Sequence, residues 1–326
     1  MRKKSFWLKK KVLVTGHEGF LGSWLTKNLV ELGANVVGID KLHHSAHPVL
    51  SSIEKDFVSI KGNIANLNLM QQVMDIYKPQ VIFHLAAEAI VGKANKTPIK
   101  TFQSNIQGTW NILEASKGLS GLQAVVVASS DKAYGSHEVL PYTEKAALQG
   151  EHPYDVSKSC ADLICRTYYK TFNLPVVVTR CGNIYGPGDM NFSRIVPDAV
   201  CKILKNETFL IRSDGTFTRD YIFVQDIVDA YLCLAENIKN PKVAGEAFNF
   251  SCEDPLSVLE LYDAIKKAAG KRNASMRILN EARFEIKHQY LSAKKARQVL
   301  GWKPSFSLEK GLKESVRWYK QYLERN

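Results

Sequence analysis

Short apolar runs, mostly β-branched, alternate with amphipathic stretches through the first half of the chain. Residues 12–14, 35–39, 57–60, 81–85, 124–128 and 176–179 read as strands, and their continuous apolar character is that of strands covered on both faces. Helical spacing fills the gaps: 20–32 stopping at Gly33, 67–77 stopping before Pro79, then 99–117 and 154–172. This order predicts an α/β fold, a Rossmann-like doubly wound parallel sheet.

After Arg180 the rhythm breaks. A Gly/Pro loop at 182–188 leads to a helix at 193–205, a short strand near 209–212, a strand and helix within 221–236, and helices at 258–269, 293–300 and 308–324. We expect residues 1–181, with about 220–250, to form the sheet-containing lobe, and 182–219 with 251–326 a smaller C-terminal α/β substrate-binding lobe. The smaller lobe should lie over the carboxyl ends of the strands, where open α/β sheets take ligands.

Composition narrows the classes. Hydrophobic residues make up 45% and charged residues 23% of 326 positions, the balance of an ordinary globular chain large enough to bury a core. No apolar run reaches the length of a membrane span. The basic opening stretch (Arg2, Lys3, Lys4, Lys9, Lys10, Lys11) lacks the apolar segment of a secretory leader, so a cytoplasmic protein is expected. Its six cysteines are scattered, with no C-x-x-C pair and no suitably spaced His, so reduced thiols and no metal site are expected. The net charge of +12 comes from lysines spread along the chain without a nucleic-acid motif. It favours an anionic small substrate over a nucleic-acid partner.

Chemistry enters at Thr15-Gly16-His17-Glu18-Gly19-Phe20-Leu21-Gly22, which follows a strand and opens a helix. Gly16 suits a tight turn, Gly19 a close approach to a pyrophosphate, and Gly22 close helix–strand packing, with the helix N-terminus facing the anion. Asp40, ending the second strand, is placed to accept from ribose hydroxyls and to repel a 2′-phosphate, which argues for NAD over NADP. Tyr154 and Lys158 stand one helical turn apart on one face, so an ammonium is expected to lower the phenol's pKa and make it a usable base.

With His84-Leu85-Ala86-Ala87, Asn105, Gly108-Thr109, Ser129-Ser130 and Arg219-Asp220-Tyr221, these motifs resemble the extended short-chain dehydrogenase/reductase family over nearly the whole chain. That resemblance implies bound NAD, with Ser130, Tyr154 and Lys158 as the redox machinery. It implies cofactor contacts from Gly16, Glu18, Gly19, Phe20, Leu21, Gly22, Asp40, Asn63, Ile64, Leu85, Ala86, Ala87, Asn105, Tyr154 and Lys158. A homodimer formed through helices 99–117 and 154–172 is also implied.

Asp131-Lys132 after Ser130 resembles the acid–base pair of the 4,6-dehydratases in that family. Ser5-Phe6-Trp7, Gly22-Ser23-Trp24-Leu25, Asp155-Val156-Ser157-Lys158 and Arg194-Ile195-Val196-Pro197-Asp198 bring the chain nearest to those acting on CDP-glucose. Met190 and Arg219-Asp220-Tyr221 depart from that group and leave the nucleotide base open. A nucleotide-diphosphate sugar is thus the implied substrate, with Asn183, Arg194, Arg219 and His288 as its expected contacts. A nucleotide-sugar 4-epimerase is the alternative; an NAD-sensing protein without chemistry is more remote, because Tyr154, Lys158, Asp131 and Lys132 are all present.

Overall fold

The computed structural model describes residues 4–42, 47–281 and 286–325; Arg2 and Lys3 of the basic opening stretch lie outside them. A short helix α1 (Lys4–Trp7) leads into β1 (Lys11–Thr15), α2 (Phe20–Glu31), β2 (Asn35–Asp40), β3 (Val58–Lys61), α3 (Leu67–Tyr77) and β4 (Val81–His84). Next come α4 (Val91–Lys96), α5 (Pro98–Phe102), a π-helical turn at Gln103–Gln107, α6 (Gly108–Ser116) and β5 (Ala124–Ala128). A 3₁₀ turn (Asp131–Tyr134), α7 (Pro153–Phe172) and β6 (Val176–Cys181) complete this first half.

These six strands and one later arrival form a seven-stranded parallel sheet in the order β10-β6-β5-β4-β1-β2-β3. The inner strands are buried along nearly all their length, and most of their side chains are apolar on both faces. One face packs Trp7, Leu25, Leu29, Phe83, Tyr231 and Phe248; the other packs Leu13, Ile82, Val125, Val127 and Cys165. Truncating a fully buried ring such as Phe83 to Ala should cost about 3–5 kcal/mol. Strand order reverses between β1 and β4, so their carboxyl ends flank the crevice in which such sheets bind ligands.

The second half comprises β7 (Asn183–Tyr185), α8 (Ile195–Leu204), β8 (Phe209–Ile211), β9 (Thr218–Phe223), α9 (Val224–Glu236), β10 (Ala247–Phe250) and β11 (Pro255–Ser257). It ends with α10 (Val258–Ala268), β12 (Met276–Ile278), β13 (His288–Gln289), α11 (Lys294–Leu300) and α12 (Leu308–Arg325). β11, β9 and β13 line up in a small sheet to which β7 adds against β9, while β12 pairs with β8. Val196, Val200, Ile211, Tyr221, Tyr262 and Leu312 form the core beneath them.

Two expectations need correcting. The segment expected to rejoin the large lobe near 220 does so only after β9: that strand pairs with the small sheet, whereas α9 packs on the large sheet and β10 adds beside β6. The helix expected at 99–117 is not one uniform helix, because the π-helical turn interrupts it. Within that turn Asn105 is buried and bonded to the Glu88 backbone and Ser157 Oγ, partners that fix the backbone where it departs from α-helical spacing.

Candidate active site

The glycine-rich turn leaves β1 with Gly16 in the left-handed region (φ +76°), where a Cβ would also lie 2.7 Å from Ala86 N. A Cβ on Gly22 would fall 2.0 Å from Gly16 O, so the first turn of α2 can press against the strand only because that position is glycine. The N-cap Gly19 offers no side-chain cap, so the opening N–H groups of α2 remain available to an anion. Asp40 Oδ2 accepts from Glu18 N at 3.3 Å and its Oδ1 from Leu42 N at 3.1 Å, which ties the end of β2 to the turn. Burial pushes the Asp40 carboxyl above its ordinary pKa, against those hydrogen bonds. A bare helix N-terminus, a cradle closed to Cβ atoms and a carboxylate at the next strand end together fit a dinucleotide.

Beneath the turn, the His84 ring joins Thr15 Oγ1 (2.8 Å) to Thr109 Oγ1 (3.1 Å), and Thr15 Oγ1 also accepts from the N–H groups of Leu85 and Ala86. Burial lowers the His84 pKa to about 3, so the ring is neutral and the link between strands carries no charge. Leu85, Ala86 and Ala87 are thereby fixed at the mouth of the crevice, each half-buried. Phe20 and Leu21 are half-buried, Phe20 against the core of the small lobe and Leu21 against both that core and one face of the large sheet. Asn63 is exposed and caps its own turn through Ala65 N, while the Ile64 carbonyl accepts from Asn111 Nδ2 at 3.0 Å. Asn105, expected at the cofactor, has its amide N–H groups committed to Glu88 O and Ser157 Oγ; it braces the crevice wall.

Tyr154 and Lys158 lie on one face of α7, both buried, with the ammonium 5.9 Å from the centre of the phenol ring. The expected lowering of the phenol's pKa does not hold in the ligand-free protein. Burial raises Tyr154 to about 12, partly offset by a hydrogen bond shared with Ser130, while the Asp131 and Asp155 charges push it further up. Lys158 Nζ instead donates to Ala128 O at 2.7 Å, and burial lowers its pKa to about 8. Spacing on a helix places the pair together, but burial is the leading cause of both shifts.

Ser130 connects this pair to the next one. Its hydroxyl donates to Asp131 Oδ1 at 2.9 Å and accepts from Lys132 N at 3.1 Å, opening the 3₁₀ turn that carries both side chains. Asp131 is buried and Lys132 half-buried. Burial raises the Asp131 pKa, opposed by Lys132, Ser130 and Arg219, so its protonated form is favoured relative to a carboxyl in water.

Asp155, part of a motif noted above but given no role of its own, joins the group. It is buried, its Oδ1 has no hydrogen-bond partner, and burial raises its pKa against the charges of Lys132 and His152. Sequence offers a weak signal for it, since an acid in the first turn of a helix is common for dipole reasons alone.

The expected substrate contacts diverge. Arg219 on β9 is buried, donates through Nη1 to Thr218 O and Lys287 O, and its charge reaches Asp131 and Tyr142. Arg194 is bound to the buried Asp189 by Nη1 at 3.1 Å to each oxygen, yet its charge still reaches Tyr154. Asn183, half-buried, opens β7 and pairs in register with Tyr221. His288 is exposed on β13 and its Nδ1 meets Thr218 Oγ1 at 3.0 Å, on the opposite side of the small sheet from Arg219.

Residues 12–250 match the model of the NAD dependent epimerase/dehydratase family. The chain is 32% identical to CDP-glucose 4,6-dehydratase of Salmonella typhimurium, over 98% of this chain and 93% of that protein. It is 31% identical to UDP-glucose 4-epimerase of Mycolicibacterium smegmatis, over 95% and 98%. The crystal structure of dTDP-glucose 4,6-dehydratase from Bacillus anthracis in complex with NAD superposes with a TM-score of 0.85 at 29% identity, covering 97% of this chain and 98% of that one.

Proposed function

The chain belongs to the NAD dependent epimerase/dehydratase family, and on that footing we propose that it is a nucleotide-sugar 4,6-dehydratase. The observation that carries this reading is the Asp131-Lys132 turn, hydrogen-bonded through Ser130 and set beside Tyr154. A 4-epimerase needs a base and a redox cofactor, but no second acid–base couple.

The backbone of Gly16, Gly19, Phe20 and Leu21 would hold the NAD pyrophosphate, Asp40 its adenosine ribose, and Leu85 to Ala87 with Tyr154 and Lys158 its nicotinamide half. When bound, NAD supplies temporary oxidation at carbon 4 of the sugar and the matching reduction at the end. Tyr154 takes the proton of the 4-hydroxyl, with Ser130 holding the same oxygen and Lys158 supplying positive charge. A ketone at carbon 4 acidifies the hydrogen on carbon 5. Lys132 removes that hydrogen, and Asp131, protonated, donates to the 6-hydroxyl, which leaves as water. The raised Asp131 pKa suits the donor role. The matching reduction at carbon 6 leaves carbon 5 to be protonated, and Lys132 returns there the proton it took; the proton held by Tyr154 passes through Ser130 to Asp131 and replaces the one lost with the water, so every group is reset.

Arg219 and Arg194 provide guanidinium groups for the diphosphate, and Asn183, at the start of β7 beside β9, would contact the diphosphate or the sugar. Ile99, Trp110, Leu163 and Phe172 are exposed on α5, α6 and α7, which supports a homodimer joined through those helices. Among the described residues no helix is long and apolar enough to cross a membrane.

The test is a mass-spectrometric screen of the NAD-loaded protein against CDP-, dTDP-, UDP- and GDP-hexoses. Loss of one water from the sugar supports the dehydratase. A product of unchanged mass and altered retention means an epimerase.

A further inference from the structure

Strand β13 carries its interest one residue beyond the position expected from sequence. Side chains alternate along a strand, so the residue after His288 faces the other way. Gln289 is fully buried and stands in register with Arg219, sharing the face from which that guanidinium reaches Asp131 and Tyr142. Neither Nε2 nor Oε1 of Gln289 has a hydrogen-bond partner.

An interior amide with both ends unused is costly, since each unsatisfied polar group forfeits its hydration without replacement. Leucine or methionine would fill a similar volume without that loss. The choice of glutamine makes physical sense if its partner arrives with a ligand. Neighbouring strands lie about 4.8 Å apart, roughly one step between a phosphate and the sugar ring attached to it. A sugar hydroxyl both donates and accepts, as an amide does.

We infer that Gln289 is a substrate-contacting residue whose amide hydrogen-bonds a ring hydroxyl of the nucleotide sugar while Arg219 holds the adjoining phosphate. The ring is either the ribose or the hexose, and both present the same chemistry. This inference rests on the nucleotide-sugar reading above, but not on whether the reaction is dehydration or epimerisation.

The experiment measures binding, not turnover. Calorimetric Kd values are compared for UDP, CDP, dTDP and GDP and for their glucose conjugates, using NAD-loaded wild type, Gln289→Leu and Gln289→Met. Either variant should bind the preferred nucleotide sugar about tenfold more weakly, the loss of roughly one hydrogen bond. In the ligand-free state the same variants should melt a few degrees higher, because the idle amide is gone. Weakening confined to the glucose conjugates identifies the hexose as the bonded ring; equal weakening of the free diphosphates identifies the ribose. Wild-type affinity in both variants overturns the inference with the nucleotide-sugar reading intact. Failure of every nucleotide to bind the wild type sinks that reading and this inference together.

Discussion

The Ser159 hydroxyl donates to the Ala133 carbonyl at 2.8 Å, fastening the helix that bears Tyr154 and Lys158 to the turn that bears Asp131 and Lys132. The far end of that turn is held as firmly. Arg180 forms a bidentate pair with Asp162 and donates to the Tyr134 hydroxyl at 2.8 Å, and Tyr134 in turn donates to Asn249 Oδ1 at 2.7 Å. Groups from separate segments therefore share one rigid frame, which makes the effects of single substitutions separable.

Tyr154→Phe keeps the ring and removes only the proton carrier. Turnover of the preferred nucleotide sugar should fall by about 10²–10⁴-fold, with nucleotide affinity and melting temperature nearly unchanged. Activity at the wild-type level would remove Tyr154 from the chemistry.

Asp131→Asn separates the stages of the proposed reaction. Water loss should fall by at least about 100-fold, while a 4-keto sugar that retains its 6-hydroxyl builds up. Mass spectrometry distinguishes loss of two hydrogens from loss of water. Undiminished elimination in this variant would contradict the assignment of the proton donor.

Lys158 gives a pH signature in stability. Its folded pKa, about 8, lies below its ordinary 10.5, so between those values the unfolded chain binds more protons and stability rises with pH. Below about pH 8 the buried charge costs on the order of 3 kcal/mol. Lys158→Met should therefore raise the melting temperature at pH 7, with the gain shrinking as pH approaches 10.5. Thermal scans of the ligand-free protein across that range check it, and a constant difference would refute the linkage. Catalytic turnover should be lost at every pH.

Asp40→Ala removes the acceptor offered to the adenosine ribose and the charge that disfavours a 2′-phosphate. NAD should bind about tenfold more weakly, and the preference for NAD over NADP should shrink. Fluorescence titration with both dinucleotides reads it directly; an unchanged ratio of affinities would assign discrimination elsewhere.

Leu163→Glu places a charge in the exposed apolar face of α7. If that face joins two copies, sedimentation should show a dimer for the wild type and a monomer for the variant at micromolar concentration. A wild-type monomer would refute the dimer proposal.

The sequence made the inner sheet plain because parallel strands covered on both faces are apolar at every position, as at Val125, Val126 and Val127. It hid β10, where Asn249 interrupts the apolar run; that asparagine is spoken for by Tyr134, Tyr142 and Glu144, partners distant along the chain. The two- and three-residue strands of the small lobe are too short to show any period. At the site, residue types and spacing brought out Tyr154 and Lys158, and the resemblance to 4,6-dehydratases brought out Asp131 and Lys132. The balance of forces on Tyr154 was not legible, because it depends on how much water the finished fold excludes. His288, expected from resemblance, and Gln289 beside it face opposite sides of β13, a parity that only the register with β9 shows.

The place of β10 at the edge of the large sheet governs how the polypeptide can mature. A growing chain must extend past Phe250 before the parallel sheet can gain its last strand, by which point α8, β8 and β9 have already been made. Late docking of a distant segment slows assembly and leaves the β6 edge open in the meantime. A fragment ending at Cys181 would keep six of the seven strands and the whole dinucleotide turn, yet expose the Val178–Cys181 edge to pairing with other chains. Division of this protein into separately expressed lobes should therefore yield aggregates, even though the break falls where the sequence itself changes character.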